Sequence, residues 1–172
     1  MAQDTFSIFD FVKEIQKGRT ALPDFQRDFV WEIEKTYDLF DSLIRNIFIG
    51  SIIFGKPKFG LATREIDLRP RPKKGVKRNN LKVSYIDDKE MQERCEANNF
   101  KIILDGQQRL TSICRALLGI DDIYFIIKNP EDFEEEEFDV EYYGLELEDV
   151  LFEFSQYEDD DRISIKIHDI FR

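Results

Sequence analysis

Five consecutive residues, Asp105-Gly106-Gln107-Gln108-Arg109, bring together side chains that could do chemistry in this chain of 172 residues. A carboxylate, two amides and a guanidinium follow one another around a glycine. Asp105 could hold a hydrated Mg2+ or orient a water. Gln107 and Gln108 could position that water or a phosphate oxygen. Arg109 could neutralise charge developing on phosphate oxygens, which is most of what phosphoryl chemistry asks of a protein. The plainer alternative is structural: Asp105 caps the helix that follows, and the stretch is a turn.

The flanking residues say how such a group would be held. Ile102-Ile103-Leu104 reads as a buried strand, and Asp105-Gly106 as a turn dipeptide whose glycine lets another group approach the backbone. Leu110, Ile113, Cys114 and Leu117 then recur at helical spacing, with Gly119 where a C-cap glycine belongs. The layout is strand, tight turn, helix. A helix N-terminus with free backbone N–H groups and an arginine beside it is suited to a bound anion.

A second unusual stretch is Pro23-Asp24-Phe25-Gln26-Arg27-Asp28-Phe29-Val30-Trp31. It sets a Gln-Arg pair among aromatics just after a proline, where an ordinary loop is richer in Gly, Ser and Asn. Aromatic anchoring would let Gln26 and Arg27 point at something fixed. The alternative is a surface loop in which Arg27 pairs with Asp24 or Asp28.

Taken in order, the chain opens with a capping-box variant, Ser7 and Asp10, ahead of an apolar face of Ile8, Phe11, Val12 and Ile15 that Gly18 closes. Residues 20–22 read as extended, because Leu22 precedes a proline. The stripe Ile33, Tyr37, Phe40, Ile44 and Ile47 predicts a helix over residues 32–48, with Glu32 and Glu34 at its positive end. Residues 51–54 read as a strand. Residues 55–99 are the least regular part, broken by Gly55, Pro57, Gly60, Pro70, Pro72 and Gly75, although 81–86 alternate like a strand and 87–98 begin either a turn or a short helix. Strands are predicted over 123–128 and 162–167, a further strand over 138–142, and a short acidic helix over 145–154 with Leu147, Val150, Leu151 and Phe154 facing inward. Residues 168–172 resemble the entry to another helix, which reads as a chain cut short, the N-terminal domain of something longer. The expectation is a single α+β domain over residues 1–172, with residues 56–99 a basic irregular insertion within it.

Composition removes several kinds of chemistry. The single histidine, His168, rules against a Ser-His-Asp or Cys-His triad and against an HNH nuclease centre. Two cysteines and one histidine are too few for a zinc site, and neither a P-loop nor a glycine-rich dinucleotide motif occurs. No apolar run approaches the ~20 residues that cross a bilayer, and the N-terminus lacks the form of a secretory signal, so the expected location is the cytoplasm, away from membranes. Cys114, on the apolar helix face, reads as a small core residue. The net charge of −11 conceals an asymmetry: residues 56–82 carry ten Lys/Arg and two acids, while residues 131–161 carry acids and no Lys or Arg.

Leu22-Pro23-Asp24-Phe25-Gln26-Arg27-Asp28-Phe29-Val30-Trp31, Asp41-Ser42-Leu43-Ile44, Gly50-Ser51-Ile52 and Leu104-Asp105-Gly106-Gln107-Gln108-Arg109-Leu110-Thr111-Ser112 together resemble the N-terminal domain of GmrSD-type restriction enzymes. The resemblance covers most of residues 5–128. It implies a ParB/sulfiredoxin-like fold, a mixed sheet with helices packed on it. It further implies a module of bacterial phage defence that binds and hydrolyses a nucleoside triphosphate with Mg2+. Such a module usually precedes a helical region and often an HNH-type nuclease domain, which together cleave modified foreign DNA. By matching position, Asp105, Gln107, Gln108 and Arg109 would serve NTP binding and hydrolysis, with Asp105 on the metal, while Gln26, Arg27, Gly106 and Thr111 would line the nucleotide site. The basic loop lies outside the family's motif; Lys73, Lys74, Lys77 and Arg78 are its expected contacts to DNA phosphates. The chain departs from the family in having no nuclease motif and no helical C-terminal region, so cleavage is not expected from it alone. The alternative is a DNA-binding or modified-DNA-sensing module without turnover.

Overall fold

The computed structural model describes residues 7–72, 79–128 and 152–171. The chain divides into two compact units, Met1–Trp31 with Gly50–Cys114, and Glu32–Ile49 with Arg115–Arg172.

The first unit is built on a five-stranded sheet in the order β2-β5-β1-β3-β4. Its strands are β1 (Thr20–Pro23), β2 (Ile53–Gly55), β3 (Leu61–Arg64), β4 (Val83–Ile86) and β5 (Lys101–Asp105). Helix α1 (Ile8–Gln16) starts where Ser7 predicts, its hydroxyl accepting the Phe9 N–H. The ring of Phe11 lies 4.6 Å from that of Phe54 on β2. Ile102 and Ile103 are adjacent on β5, so they point to opposite faces, and both are fully buried. A central strand covered on both sides explains the unbroken Ile-Ile run. On one face Ile102 joins Ala21, Ile86, Met91 and Phe100 in a core cluster, to which helix α3 (Asp88–Ala97) contributes Met91.

Here the structure departs from the reading of residues 56–99 as an irregular insertion. β3, β4 and α3 all fall within that stretch, and β3 lies directly beside β1 in the sheet. Pro57, Gly60 and Pro70 flank β3 instead of interrupting it.

β1 and β5 are parallel, with Thr20 opposite Lys101 and Ala21 opposite Ile102. They therefore finish at the same end of the sheet, β1 in the segment after Pro23 and β5 in the Asp105-Gly106 turn. β3 and β2 run antiparallel to them and begin near that end: Pro23 faces Thr63, and Ile53 faces Asp105.

The second unit holds a three-stranded antiparallel sheet in the order β7-β6-β8, formed by β6 (Tyr124–Ile127), β7 (Phe152–Ser155) and β8 (Ser164–Lys166), then a 3-10 turn at Ile167–Phe171. Helix α2 (Ile33–Ile44) packs on β7 through Tyr37 and Phe40, whose rings lie 6.3 and 6.2 Å from that of Phe154. α2 stops short of the predicted Phe48 because Asn46 turns left-handed, φ 55°. The predicted helix over 145–154 is corrected at residues 152–154, which form a strand. Phe152 and Phe154 alternate with Glu153 along β7, and both rings meet Phe125 on β6. Residues 145–151 and the strand expected over 138–142 lie outside the described residues. Helix α4 (Gln107–Leu117) belongs to the first unit through Cys114 and to the second from Arg115. The fold is α+β. Among the described residues no helix is long and apolar enough to cross a membrane.

Candidate functional site

Parallel pairing of β1 and β5 brings together two motifs that are some eighty residues apart in sequence. The segment after β1 lies against the start of α4, and the contacts are polar. Gln107 Nε2 donates to the Arg27 carbonyl at 2.9 Å and Gln108 Nε2 to the Asp28 carbonyl at 2.8 Å. The Val30 N–H donates to Gln108 Oε1 at 3.0 Å. The Gln108 amide thus takes a carbonyl and an N–H two residues apart, as a peptide group in a neighbouring strand would. Gln26 ties the segment to β5, its Nε2 donating to the carbonyls of Ile103 and Leu104 at 2.7 and 3.0 Å.

These bonds locate the sequence-predicted residues. Gln107 and Gln108 are buried, 8% and 7% exposed, and their amides hold the neighbouring backbone instead of facing open space. Asp105 ends β5 with its side chain 67% exposed. Because α4 begins at Gln107, the position before the helix is held by Gly106, so the expectation that Asp105 caps the helix is not met. The carboxylate instead reaches the Arg109 guanidinium at 3.4 Å, and the same Nη2 donates to the Ser51 carbonyl at 2.9 Å. Thr111 lies further along α4 and is buried. Arg27 pairs with neither Asp24 nor Asp28; its exposed guanidinium meets no partner among the described residues. Lys73, Lys74, Lys77 and Arg78 lie outside the described residues.

Two glycines make the turn possible. Gly106 has φ +82°, and a Cβ there would meet the Ser51 carbonyl and Ile52 at about 3 Å. Gly50 has φ +87°, and a Cβ on it would fall 1.9 Å from Arg109 Nη1. The arginine rests against bare backbone.

The sequence reading missed Arg64. Its side chain is 6% exposed, and its guanidinium binds the Asp28 carboxylate, the Gln26 carbonyl and, at 2.6 Å, the Arg27 carbonyl. The anchoring expected of the aromatics is largely supplied by this arginine and the glutamines. Phe25 is 77% exposed, while Phe29 lies under Arg71, whose Nη1 also donates to the Trp31 carbonyl. A single arginine within a run of ten Lys/Arg carries no mark of burial in the sequence.

The first unit of this α+β fold thus carries a polar, arginine-bearing surface at the carboxyl ends of two parallel strands. The chain belongs to the family described as GmrSD restriction endonuclease, N-terminal domain, whose model matches residues 8–172. An uncharacterized protein of Methanocaldococcus jannaschii is 33% identical over 122 residues, which is 68% of this chain and 18% of that protein. The matched region is therefore under a fifth of that relative's length. No solved structure matches the chain.

Proposed function

We propose that the Asp105–Arg109 turn, with Gln26 and Arg27, binds the phosphates of a nucleoside triphosphate and supports its hydrolysis, as the regulatory module of a longer DNA-restriction protein. The observation that carries this reading is the parallel pairing of β1 and β5, which brings both motifs to one end of the sheet. In open sheets, ligands bind in crevices outside the carboxyl ends of parallel strands. There Arg27 supplies an exposed guanidinium, and the half-buried Arg109 another, oriented by Ser51 and Asp105. Backbone N–H groups at the start of α4 add partial positive charge. Gln107 acts by holding the Arg27 carbonyl, Gln108 by holding the Asp28 carbonyl and the Val30 N–H, and Gln26 by tying the segment to β5.

The donor set fits a magnesium ion held through substrate. No cluster of three or more His, Cys, Asp or Glu occurs among the described residues. Mg2+ needs only one or two carboxylates beside phosphate oxygens and water, and the exposed Asp105 offers one. When bound, the ion would neutralise phosphate charge. The family's description and the greater length of the Methanocaldococcus relative support a place ahead of further domains, with DNA and a nuclease as partners; that the nuclease is of HNH type rests on the motif resemblance. The ParB/sulfiredoxin-like relation of the fold rests on the motif resemblance alone.

A fluorescence titration with ATP, GTP, CTP and UTP, with and without Mg2+, tests the reading. At least one nucleotide is expected to bind, and Arg109→Ala to weaken it by about tenfold or more, as loss of a charge-assisted contact does. Binding of none, or equal binding by the Arg109→Ala protein, refutes it.

A further inference from the structure

We propose that Arg64 is the positioning residue of this site: from β3, outside both motifs, its buried guanidinium sets the backbone of residues 26–28 and so aims Arg27. The consequence for nucleotide binding rests on the proposed function; the positioning itself does not.

Three observations carry it. First, both terminal nitrogens of Arg64 are given to one short segment, the Asp28 carboxylate and the carbonyls of Gln26 and Arg27. The Arg27 carbonyl thereby receives Arg64 Nη2 as well as Gln107 Nε2, two donors from two different elements. Second, the arrangement is poor as a stabilising device. Asp28 is 61% exposed while Arg64 is nearly buried, and Arg64 Nε is buried with no hydrogen-bond partner among the described residues. A buried charge with an unsatisfied N–H generally costs stability that an apolar side chain would not, so the arrangement suits a role in conformation. Third, its reach is fixed by the sheet: Arg64 faces Leu22 across the β1–β3 ladder, one pair from the Pro23–Thr63 pair where β1 ends.

Arg64 also lines a cavity of about 530 Å³ with Thr20, Thr63, Ser84 and Phe100. Shortening its side chain would open onto that cavity and admit a small cation, which makes chemical rescue practical.

The experiment uses the whole chain and two readouts. The first is amide hydrogen exchange of Val30, whose N–H bonds Gln108 Oε1 and reports the placement of the segment without any ligand. The Ile103 amide, in the sheet core, serves as the control for global unfolding. Arg64→Met and Asp28→Asn should each speed Val30 exchange, Arg64→Met by about tenfold, with Ile103 protection unchanged. In the second readout, affinity for whichever nucleotide the wild-type chain binds should fall by about tenfold in Arg64→Met. Millimolar methylguanidinium should return part of the Val30 protection to Arg64→Ala. Arg64→Lys, a point charge without the planar fork, should remain defective. If Arg64→Met does not fold, Asp28→Asn and the rescue decide. Unchanged Val30 exchange in the folded variants overturns the proposal, as does full nucleotide affinity in a variant whose Val30 amide has loosened. If the wild-type chain binds no nucleotide while Val30 still responds, the nucleotide reading fails and the positioning role stands.

Discussion

At the scale of single residues, the amides of Gln107 and Gln108 act inward. A glutamine beside an arginine in a turn invites assignment to a ligand, since its type announces donors and acceptors. The type says nothing of partners, and here the nearest ones are the Arg27 and Asp28 carbonyls and the Val30 N–H. Replacing Gln108 with Ala leaves the Asp28 carbonyl and the Val30 N–H without that partner. The expected cost is about 1–3 kcal/mol by urea denaturation, with Gln108→Glu no better, because a carboxylate cannot donate to a carbonyl. Equal stability of wild type and Gln108→Ala would show that the ladder contributes little. Gly50 offers a different kind of test. Gly50→Ala places a methyl 1.9 Å from Arg109 Nη1 at a φ of +87°, so the guanidinium must leave its position. Nucleotide affinity should then fall as far as in Arg109→Ala, and retained affinity would separate Arg109's placement from its role.

At the scale of elements, the strand-turn-helix of residues 101–119 was legible because three signals agree: a buried apolar run, a glycine that must be left-handed, and helical spacing afterwards. α1 was legible through its Ser7 cap. β3 was not, since four residues with one arginine make too short a pattern to separate from a basic loop. β7 was misread because Phe154 fits a helical stripe with Leu147 and Val150 as well as it fits a two-residue alternation with Phe152. The C-terminal end of α4 shows a further feature that residue type alone conceals. Arg115 is wholly buried and meets Asp121 through Nε at 2.8 Å and Nη2 at 2.7 Å. Removing one partner of such a pair strands the other charge. Asp121→Ala is expected to cost about 3–5 kcal/mol in equilibrium unfolding. Arg115→Met, which leaves Asp121 without this partner but keeps most of the side-chain volume, should cost less than Arg115→Ala, which adds a cavity. A loss under about 1 kcal/mol for Asp121→Ala would contradict this account of the pair.

At the scale of the whole molecule, the parallel pairing of β1 and β5 joins the two motifs, and that pairing is invisible to local pattern because it depends on residues about eighty positions apart. The resemblance to a family supplied the connection where periodicity could not. The thiols give a measure of how firmly this core is closed. Burial pushes the Cys114 thiol up to about 12, while Cys95 is half-buried and its thiol is also raised, chiefly by desolvation. A thiol reagent acts on the thiolate. At mildly alkaline pH the native chain should therefore label slowly at Cys95 and not at Cys114, with Cys114 reacting when urea unfolds the chain. Mass mapping that finds Cys114 labelled under native conditions would show the core opening without global unfolding. In the proposed function, the segment after β1 and the turn after β5 form one phosphate site. This is tested most directly by hydrogen exchange across the chain, with and without Mg2+ and the nucleotide that binds. Residues 24–30 and 105–109 should gain protection together and in the same concentration range; protection of only one segment, or of neither, would contradict it.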